Sequence, residues 1–368
     1  MKKFVVVIIS FLSFFSCKKD NPIQNQGGDS QIKTTFSATP YNITYPFFWS
    51  SIPISMPSNN PITVEGVALG RKLFYDPVLS QNNTMSCATC HNQAFAFTDN
   101  GKQFSDGLHG EKGKRNAPAI FNLGWFANYG VLNHGFFWDG GASDLESQAI
   151  GPITNPIEMS ENLFNVIRKL KANPVYPVLF KKAFGTDSIT SQLISFAIAQ
   201  FERTIVSGNT KYDRYIRGIE SLTPQEANGF DVFSNRNKGD CTHCHLIGGG
   251  FFTDFKFHNN GLQVSILDSG LARISKNQGD LGKFKTPSLR NLVFTSPYMH
   301  DGRFSTLEQV VDFYDSQAYL GQNVDPFITS DLHPTGLFLS TNDKKDLIAF
   351  LKTLTDSVFV NNPIFSKP

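Results

Sequence analysis

The chain has 368 residues, 33 Lys and Arg against 31 Asp and Glu, and a net charge of +2. That length allows two domains of ordinary size. Charged residues are only 17% and the basic ones are scattered, so there is no electrostatic footprint for nucleic acid.

Met1-Lys2-Lys3 followed by the apolar run Phe4 to Phe15 reads as a targeting segment, too short to span a bilayer. It ends in Phe14-Phe15-Ser16-Cys17. A small residue before a lone cysteine reads as a lipoprotein cleavage site, which makes 1–17 the signal peptide and Cys17 the lipidated residue. Phe14 stands where leucine is commoner, and the alternative is ordinary cleavage nearby with Cys17 incidental. Residues 18–45 are polar and aperiodic and read as a flexible tether.

Thr63 opens an amphipathic helix that runs to Phe74 and stops at Asp76-Pro77. The word Cys87-Ala-Thr-Cys90-His91 follows. Ser160 is the expected start of a helix with Leu163, Val166, Ile167 and Leu170 on one face. Residues 190–206 predict a helix that is apolar on most sides and therefore buried. Ser207-Gly208-Asn209 breaks the pattern. Thr223-Pro-Gln-Glu226 is a capping box with proline at the first helical position, and Phe230 and Phe233 share a face behind it. The word returns as Cys241-Thr-His-Cys244-His245. Ser305-Thr-Leu-Glu308 predicts a cap for a helix carrying Leu307, Val310, Val311 and Tyr314. Leu347, Phe350, Leu351 and Leu354 form the stripe of a closing helix. Each half thus repeats helix, word, Gly-rich stretch and further helices. Strand signals are sparse.

Cys-x-x-Cys-His is the attachment word of a c-type haem: two thiols for two vinyl groups on one porphyrin edge, and an imidazole for the iron. A zinc site or a redox dithiol also uses Cys-x-x-Cys. Zinc does not need the histidine twice, and zinc ribbons are compact, whereas about 150 residues separate Cys90 from Cys241. The expectation is two covalently bound c-type haems in a mostly α chain, built as two cytochrome c-like haem domains with long loops. The domains are 46–210 and 211–357, with 358–368 as a tail. The 35 phenylalanines suit broad walls over porphyrin faces, or equally a large core. Bacteria attach c-type haem outside the cytoplasm, so the expected location is the periplasm, with a lipid anchor.

Two haems do not choose a reaction. A haem with both axial positions filled carries electrons; one with an open position can bind peroxide or oxygen. After His91 come Phe137-Trp138-Asp139-Gly140-Gly141, Leu145-Glu-Ser-Gln148 and Gly151-Pro152-Ile-Thr-Asn155-Pro156-Ile-Glu158-Met159. Together with both words, Asn116-Ala-Pro118, Thr286-Pro-Ser-Leu-Arg-Asn291 and Ser296-Pro-Tyr-Met-His-Asp-Gly302, these make the sequence resemble the bacterial dihaem cytochrome c peroxidase family, including its MauG-like branch. The resemblance covers nearly all of residues 50–357.

The resemblance implies a peroxidatic haem at Cys87, Cys90 and His91, and an electron-entry haem at Cys241, Cys244 and His245. It makes Glu158 the distal acid/base, able to move a proton between peroxide oxygens, and Gln148 its amide partner. Glu158 read alone is a surface or capping carboxylate. Trp138 matches the indole between the haems; its plainer reading is a core tryptophan. Asn116, Thr295 and Pro297 match calcium ligands, and oxygen donors suit that ion. His109 lies near the place of a displaceable distal histidine, one residue off the expected spacing, so an exposed loop histidine is the other reading. At the second haem the peroxidases place methionine where this chain has Tyr314, as in the MauG-like branch; Met299 is the alternative ligand. The MauG-like branch has a tryptophan two residues before the second word, where this chain has Gly239.

The expectation is a peroxidase reducing hydrogen peroxide with electrons from a small donor protein, a cytochrome c or a cupredoxin. Its membrane contact is the lipid anchor alone, it has no nucleic-acid partner, and a second copy of the chain in a homodimer is among the partners. One rival is a MauG-like oxidase acting on a protein or organic substrate. The other is a dihaem electron carrier without catalysis.

Overall fold

The computed structural model describes residues 36, 38–126, 135–318, 321, 323–329, 333 and 335–368. The signal peptide, Cys17 and most of the tether lie outside the described residues.

Short polar side chains start most of the helices, by accepting hydrogen bonds from backbone N–H groups that have no partner inside the helix. Thr63 caps α1 (Val64–Tyr75), Asp144 caps α2 (Leu145–Thr154) and Asn162 caps α3 (Leu163–Ala172). Helix α4 (Val175–Phe184) closes on Gly185 at φ 75°, and Thr190 caps α5 (Ser191–Thr204). Thr210 caps α6 (Lys211–Ile216), and the Thr223/Glu226 box opens α7 (Pro224–Ser234). Helices α8 (Leu307–Ser316) and α9 (Thr341–Lys352) follow. The strands β1 (Phe257–His258) and β2 (Phe284–Lys285) pair antiparallel.

Two helix starts differ from the sequence expectation. Ser160 sits at φ 50°, outside helical geometry, and Asn162 takes the capping role. At α8 the reciprocal cap is Thr306 with Gln309, because the Gln309 side-chain oxygen accepts from the Ser305 and Thr306 N–H groups, while Glu308 is exposed.

Each half is organised by one close helix crossing, and each crossing is placed by a glycine. A Cβ on Gly70 of α1 would run into the Ala197 carbonyl of α5, and one on Gly229 of α7 into the Asp346 carbonyl of α9. Around the first crossing pack Leu69, Leu73, Phe180 and Ile198. Around the second pack Val232, Phe233, Leu347 and Phe350. An aromatic cluster joins the halves: Trp49 stacks on Phe251 at 4.6 Å and tilts against Trp125 at 4.7 Å. Residues after 357 fold back onto the first half, where Arg71 Nε donates to Ser366 O (2.6 Å) and Tyr75 Oη to Phe365 O (2.7 Å).

A buried polar junction sits between the two word-bearing segments. Ser207 N donates to Asn122 Oδ1 (2.9 Å), and Asn122 Nδ2 donates back to Ser207 O (3.0 Å). Asn291 Nδ2 donates to Ser207 Oγ (2.9 Å), and Asp356 N donates to Asn291 Oδ1 (2.8 Å). Both asparagines hold left-handed backbone, at φ 58° and 63°, which Asn tolerates better than most residues.

Candidate functional site

Each word closes one helical turn, with His91 N donating to Cys87 O and His245 N to Cys241 O, both at 2.9 Å. The turn gathers two thiols and an imidazole locally. Each imidazole is then oriented by a backbone carbonyl: His91 Nδ1 meets Phe97 O at 2.9 Å, and His245 Nδ1 meets Phe252 O at 3.0 Å. A carbonyl only accepts, so Nδ1 carries the proton and Nε2 keeps a free lone pair, the tautomer a metal requires. Burial lowers both histidine pKa values, which keeps the rings neutral. The two phenylalanines present their carbonyls from left-handed backbone, at φ 61° and 53°.

Burial pushes the Cys90 thiol up to about 11, Cys241 and Cys244 up to about 12, and Cys87 up further still. Thiols so hard to ionise do not suit a redox dithiol, which needs the anion. Among the described residues no group of three or more His, Cys, Asp or Glu side chains could hold a metal ion, so the words do not combine into one zinc site.

A cavity of about 310 Å³ opens beside the second word. Cys241, Cys244 and His245 line it, with Phe233, Leu292, Val311 and Leu351 as apolar wall. The fit to haem rests on this arrangement: two thiols and one oriented imidazole on a cavity whose wall is mostly apolar. Tyr314 and Met299 line the same cavity. Burial pushes the Tyr314 hydroxyl up to about 12, and the Asn260 amide opposes that rise. Asn260 Nδ2 lies 3.0 Å from Tyr314 Oη and 3.6 Å from Met299 Sδ.

The cavity also reaches Trp138, Asn116, Thr295 and Pro297. Trp138 is fixed by three neighbours. Its Nε1 donates to Asn116 O (2.8 Å), and its carbonyl accepts from Lys285 N (2.8 Å). Next to it, fully buried Asp139 binds Arg115 and Arg273, each at 2.6 Å. Asn116 N donates to His300 O (2.7 Å), and Asn116 Nδ2 to Lys102 O (3.0 Å). Lys285 is itself buried, with Nζ 4.4 Å from the Phe126 ring centre, and burial brings its pKa down to about 7.

This cavity does not include Cys87, Cys90, His91, Gln148 or Glu158. The Glu158 charge acts on both thiols of the first word, so these groups share a neighbourhood. Burial raises the Glu158 pKa, and its Oε1 accepts from Asn155 Nδ2 at 2.6 Å. Gln148 is 9% exposed, and its Oε1 has no hydrogen-bond partner among the described residues. His109 is exposed, with Nε2 3.1 Å from Gln81 Oε1; its neighbour Leu108 donates from N to Glu158 O (2.8 Å).

Several groups were not anticipated from sequence. Asn155 and Asn260 hydrogen-bond Glu158 and Tyr314, yet neither asparagine lies in a periodic pattern. Glu202 is buried near Cys87 with Oε2 unpartnered among the described residues, and burial pushes its pKa up to about 8. The carbonyls of Phe97 and Phe252 had a readable signal. Phe97-Thr98-Asp99 and Phe252-Thr253-Asp254 are the same tripeptide, following the two words at nearly equal distance.

The family profile described as di-haem cytochrome c peroxidase matches residues 64–221. The methylamine utilization protein MauG of Methylorubrum extorquens is 39% identical over 302 residues, 81% of this chain and 80% of that protein. The cytochrome c551 peroxidase of Nitrosomonas europaea is 33% identical over 305 residues, 80% of this chain and 81% of that one. Among solved structures, a MauG-like protein associated with microbial copper homeostasis superposes with a TM-score of 0.77 at 35% identity, covering 89% of this chain and 99% of that chain.

Proposed function

The chain belongs to the di-haem cytochrome c peroxidase family, and from that membership we propose that it reduces hydrogen peroxide to two waters, taking two electrons from a small donor protein and two protons from solvent. Haem at each word supplies a redox-active iron. His91 and His245 would hold the two irons through Nε2, and the four thiols would tether the rings. Glu158 takes a proton from one peroxide oxygen and delivers one to the other. Burial and the Asn155 amide pull its affinity in opposite directions, which leaves a carboxyl able to serve both steps. The free Gln148 Oε1 accepts from peroxide and orients it. Haem held at the 241–245 site would supply the entry point for electrons, with Tyr314 as the further side chain that would hold its iron and Trp138 as the aromatic group between the two sites. Asn116, Thr295 and Pro297 hold calcium through oxygen atoms. The protein works in the periplasm, anchored by lipid on Cys17; among the described residues no helix is long and apolar enough to cross a membrane.

The observation carrying this reading is the half-buried, amide-tethered Glu158 beside the first word, set against a cavity at the second word lined by Tyr314 and Met299. Tyr314 also favours the MauG-like reading. Gly239 opposes it: a Cβ there would lie 2.7 Å from the Val232 carbonyl, so the backbone cannot accept a tryptophan at that place without moving. Steady-state turnover with hydrogen peroxide and a reduced small cytochrome tests the proposal. Glu158→Gln is expected to lower kcat by about 10²–10⁴-fold and leave both haem spectra intact. Undiminished turnover in that variant ends the catalytic assignment. Negligible turnover in the unaltered protein favours the oxidase.

A further inference from the structure

The loop after β1 is built to aim one amide. Asn260 Oδ1 accepts from Leu262 N (3.3 Å), and Asn259 Oδ1 accepts from Gly261 N (3.0 Å). Gly261, at φ 75°, lies so close to the Ala318 carbonyl just past α8 that no Cβ fits. The loop is therefore pinned against the helix that carries Tyr314. With Oδ1 committed to a backbone N–H, the amide nitrogen must face the other way, where its two hydrogens meet Tyr314 Oη (3.0 Å) and Met299 Sδ (3.6 Å).

We propose that Asn260 is the positioning residue for the axial oxygen of the second haem: its amide aims Tyr314 Oη into the cavity and, by donating to that oxygen, raises the reduction potential of the iron bound there. The inference rests on the reading that Tyr314 is an axial ligand. A hydrogen bond to a ligand oxygen withdraws electron density from it. The oxygen is more negative when the iron is reduced, so the bond is stronger in that state and favours reduction. A single donor to a charged oxygen is worth enough to move an equilibrium about tenfold. For a one-electron couple that is about 59 mV. Met299 is kept in the same amide's reach and stays off the iron.

The test uses the holoprotein with both haems attached, titrated potentiometrically and followed by optical and EPR spectra. Asn260→Leu removes the donor at similar volume. Asn260→Asp keeps the acceptor for Leu262 N but removes the donor. Both are expected to lower the second haem's reduction constant at least about tenfold, with the phenolate signature retained and the first haem unmoved. In a Tyr314→Phe background, Asn260→Leu is expected to add nothing. An unchanged potential in Asn260→Leu overturns the inference. So does an Asn260→Asp protein that titrates like the unaltered one, since the residue would then serve only its turn. If Tyr314→Phe leaves the second haem's spectrum unaltered, the ligation reading itself fails, whatever the Asn260 variants do.

Discussion

Asp213 and Arg290 form the most deeply buried ion pair at the second site, and removing one partner gives a calculable penalty. Their side chains are 3% and 0% exposed. The guanidinium donates from Nη1 to Oδ2 (2.8 Å), from Nη2 to Oδ1 (2.6 Å) and from Nε to Gly250 O (2.6 Å). It lies 5.0 Å from the Trp49 ring centre and 5.8 Å from that of Phe252, whose carbonyl orients His245. Asp213 also accepts from Thr210 N (2.8 Å) and Oγ1 (2.9 Å). Asp213→Ala leaves a buried cation without a counter-charge, which costs about 3–5 kcal/mol. It also strands the Thr210 donors at about 1 kcal/mol. The expected loss is about 4 kcal/mol or more, read from urea unfolding of the holoprotein by circular dichroism, with the second haem's absorbance changing before the first. Replacing both partners, Asp213→Leu with Arg290→Met, removes the stranded charge and should recover more than half of the loss. A single-variant loss below about 1 kcal/mol, or a double variant no better than the single, would refute the view that this pair braces the segment that orients His245.

Two further outcomes follow from buried charge. His258 sits between Asp254 (2.8 Å) and Asp325 (2.6 Å); burial disfavours its charge, but the two carboxylates outweigh that and bring its pKa up to about 9 from 6.5. A raised value means the stabilisation is complete below pH 6.5 and disappears as pH rises through about 9. The unfolding free energy read from urea titration should therefore fall between pH 7 and 10 by an amount on the order of 2–3 kcal/mol, and His258→Gln should flatten that dependence; a stability equally pH-dependent in both proteins counts against it. Asp356 Oδ2 accepts from Ser207 Oγ (3.3 Å), Gly208 N (3.2 Å) and Asn209 N (3.0 Å), so Asp356→Ala should cost roughly 2–4 kcal/mol in the same assay, and a loss under about 0.5 kcal/mol would mean water replaces it freely.

Much of this was legible because it is local. Thr63 and Thr223 cap helices where their sequence context says they should, the stripe at 63–74 forms α1, and of the closing stripe Leu347, Phe350 and Leu351 lie on α9 while Leu354 falls in the turn just after it. Each word is five residues long and folds as its own turn. The two misplaced starts, at Ser160 and Ser305, are register errors of one or two residues, where several adjacent polar side chains could serve as cap. What was not legible is long-range or belongs to the backbone. Asp213 and Arg290 are 77 residues apart, and nothing in either segment names the other. Asn260 follows a two-residue strand and precedes a glycine, a context with no periodicity. Glu202 lies on a helix that reads as buried, where pattern alone gives no reason for a carboxylate.

The two halves share a frame around the histidine of each word and differ in the other side chains nearby. In each, a helix crosses its partner at a glycine, a word closes one turn, and a phenylalanine in left-handed backbone offers its carbonyl to Nδ1. In each, an asparagine in the same backbone region ties the segment to Ser207. Such a frame fixes tautomer and ring orientation, and it is equally suited to an electron carrier or a catalyst. The distinction must come from the other side of the site. Near the first word stand Glu158, held by Asn155, and Gln148 with an uncommitted oxygen: groups that exchange protons and accept hydrogen bonds. In the cavity beside the second word stand Tyr314 and Met299, both served by one amide: groups able to donate lone pairs to a metal. A proton-moving cover suits a site that must let a small oxidant in. A lone-pair cover suits one that must keep it out. On the proposed reading, division of labour between two nearly equivalent frames therefore needs no change in the words themselves, only in the few side chains that face them.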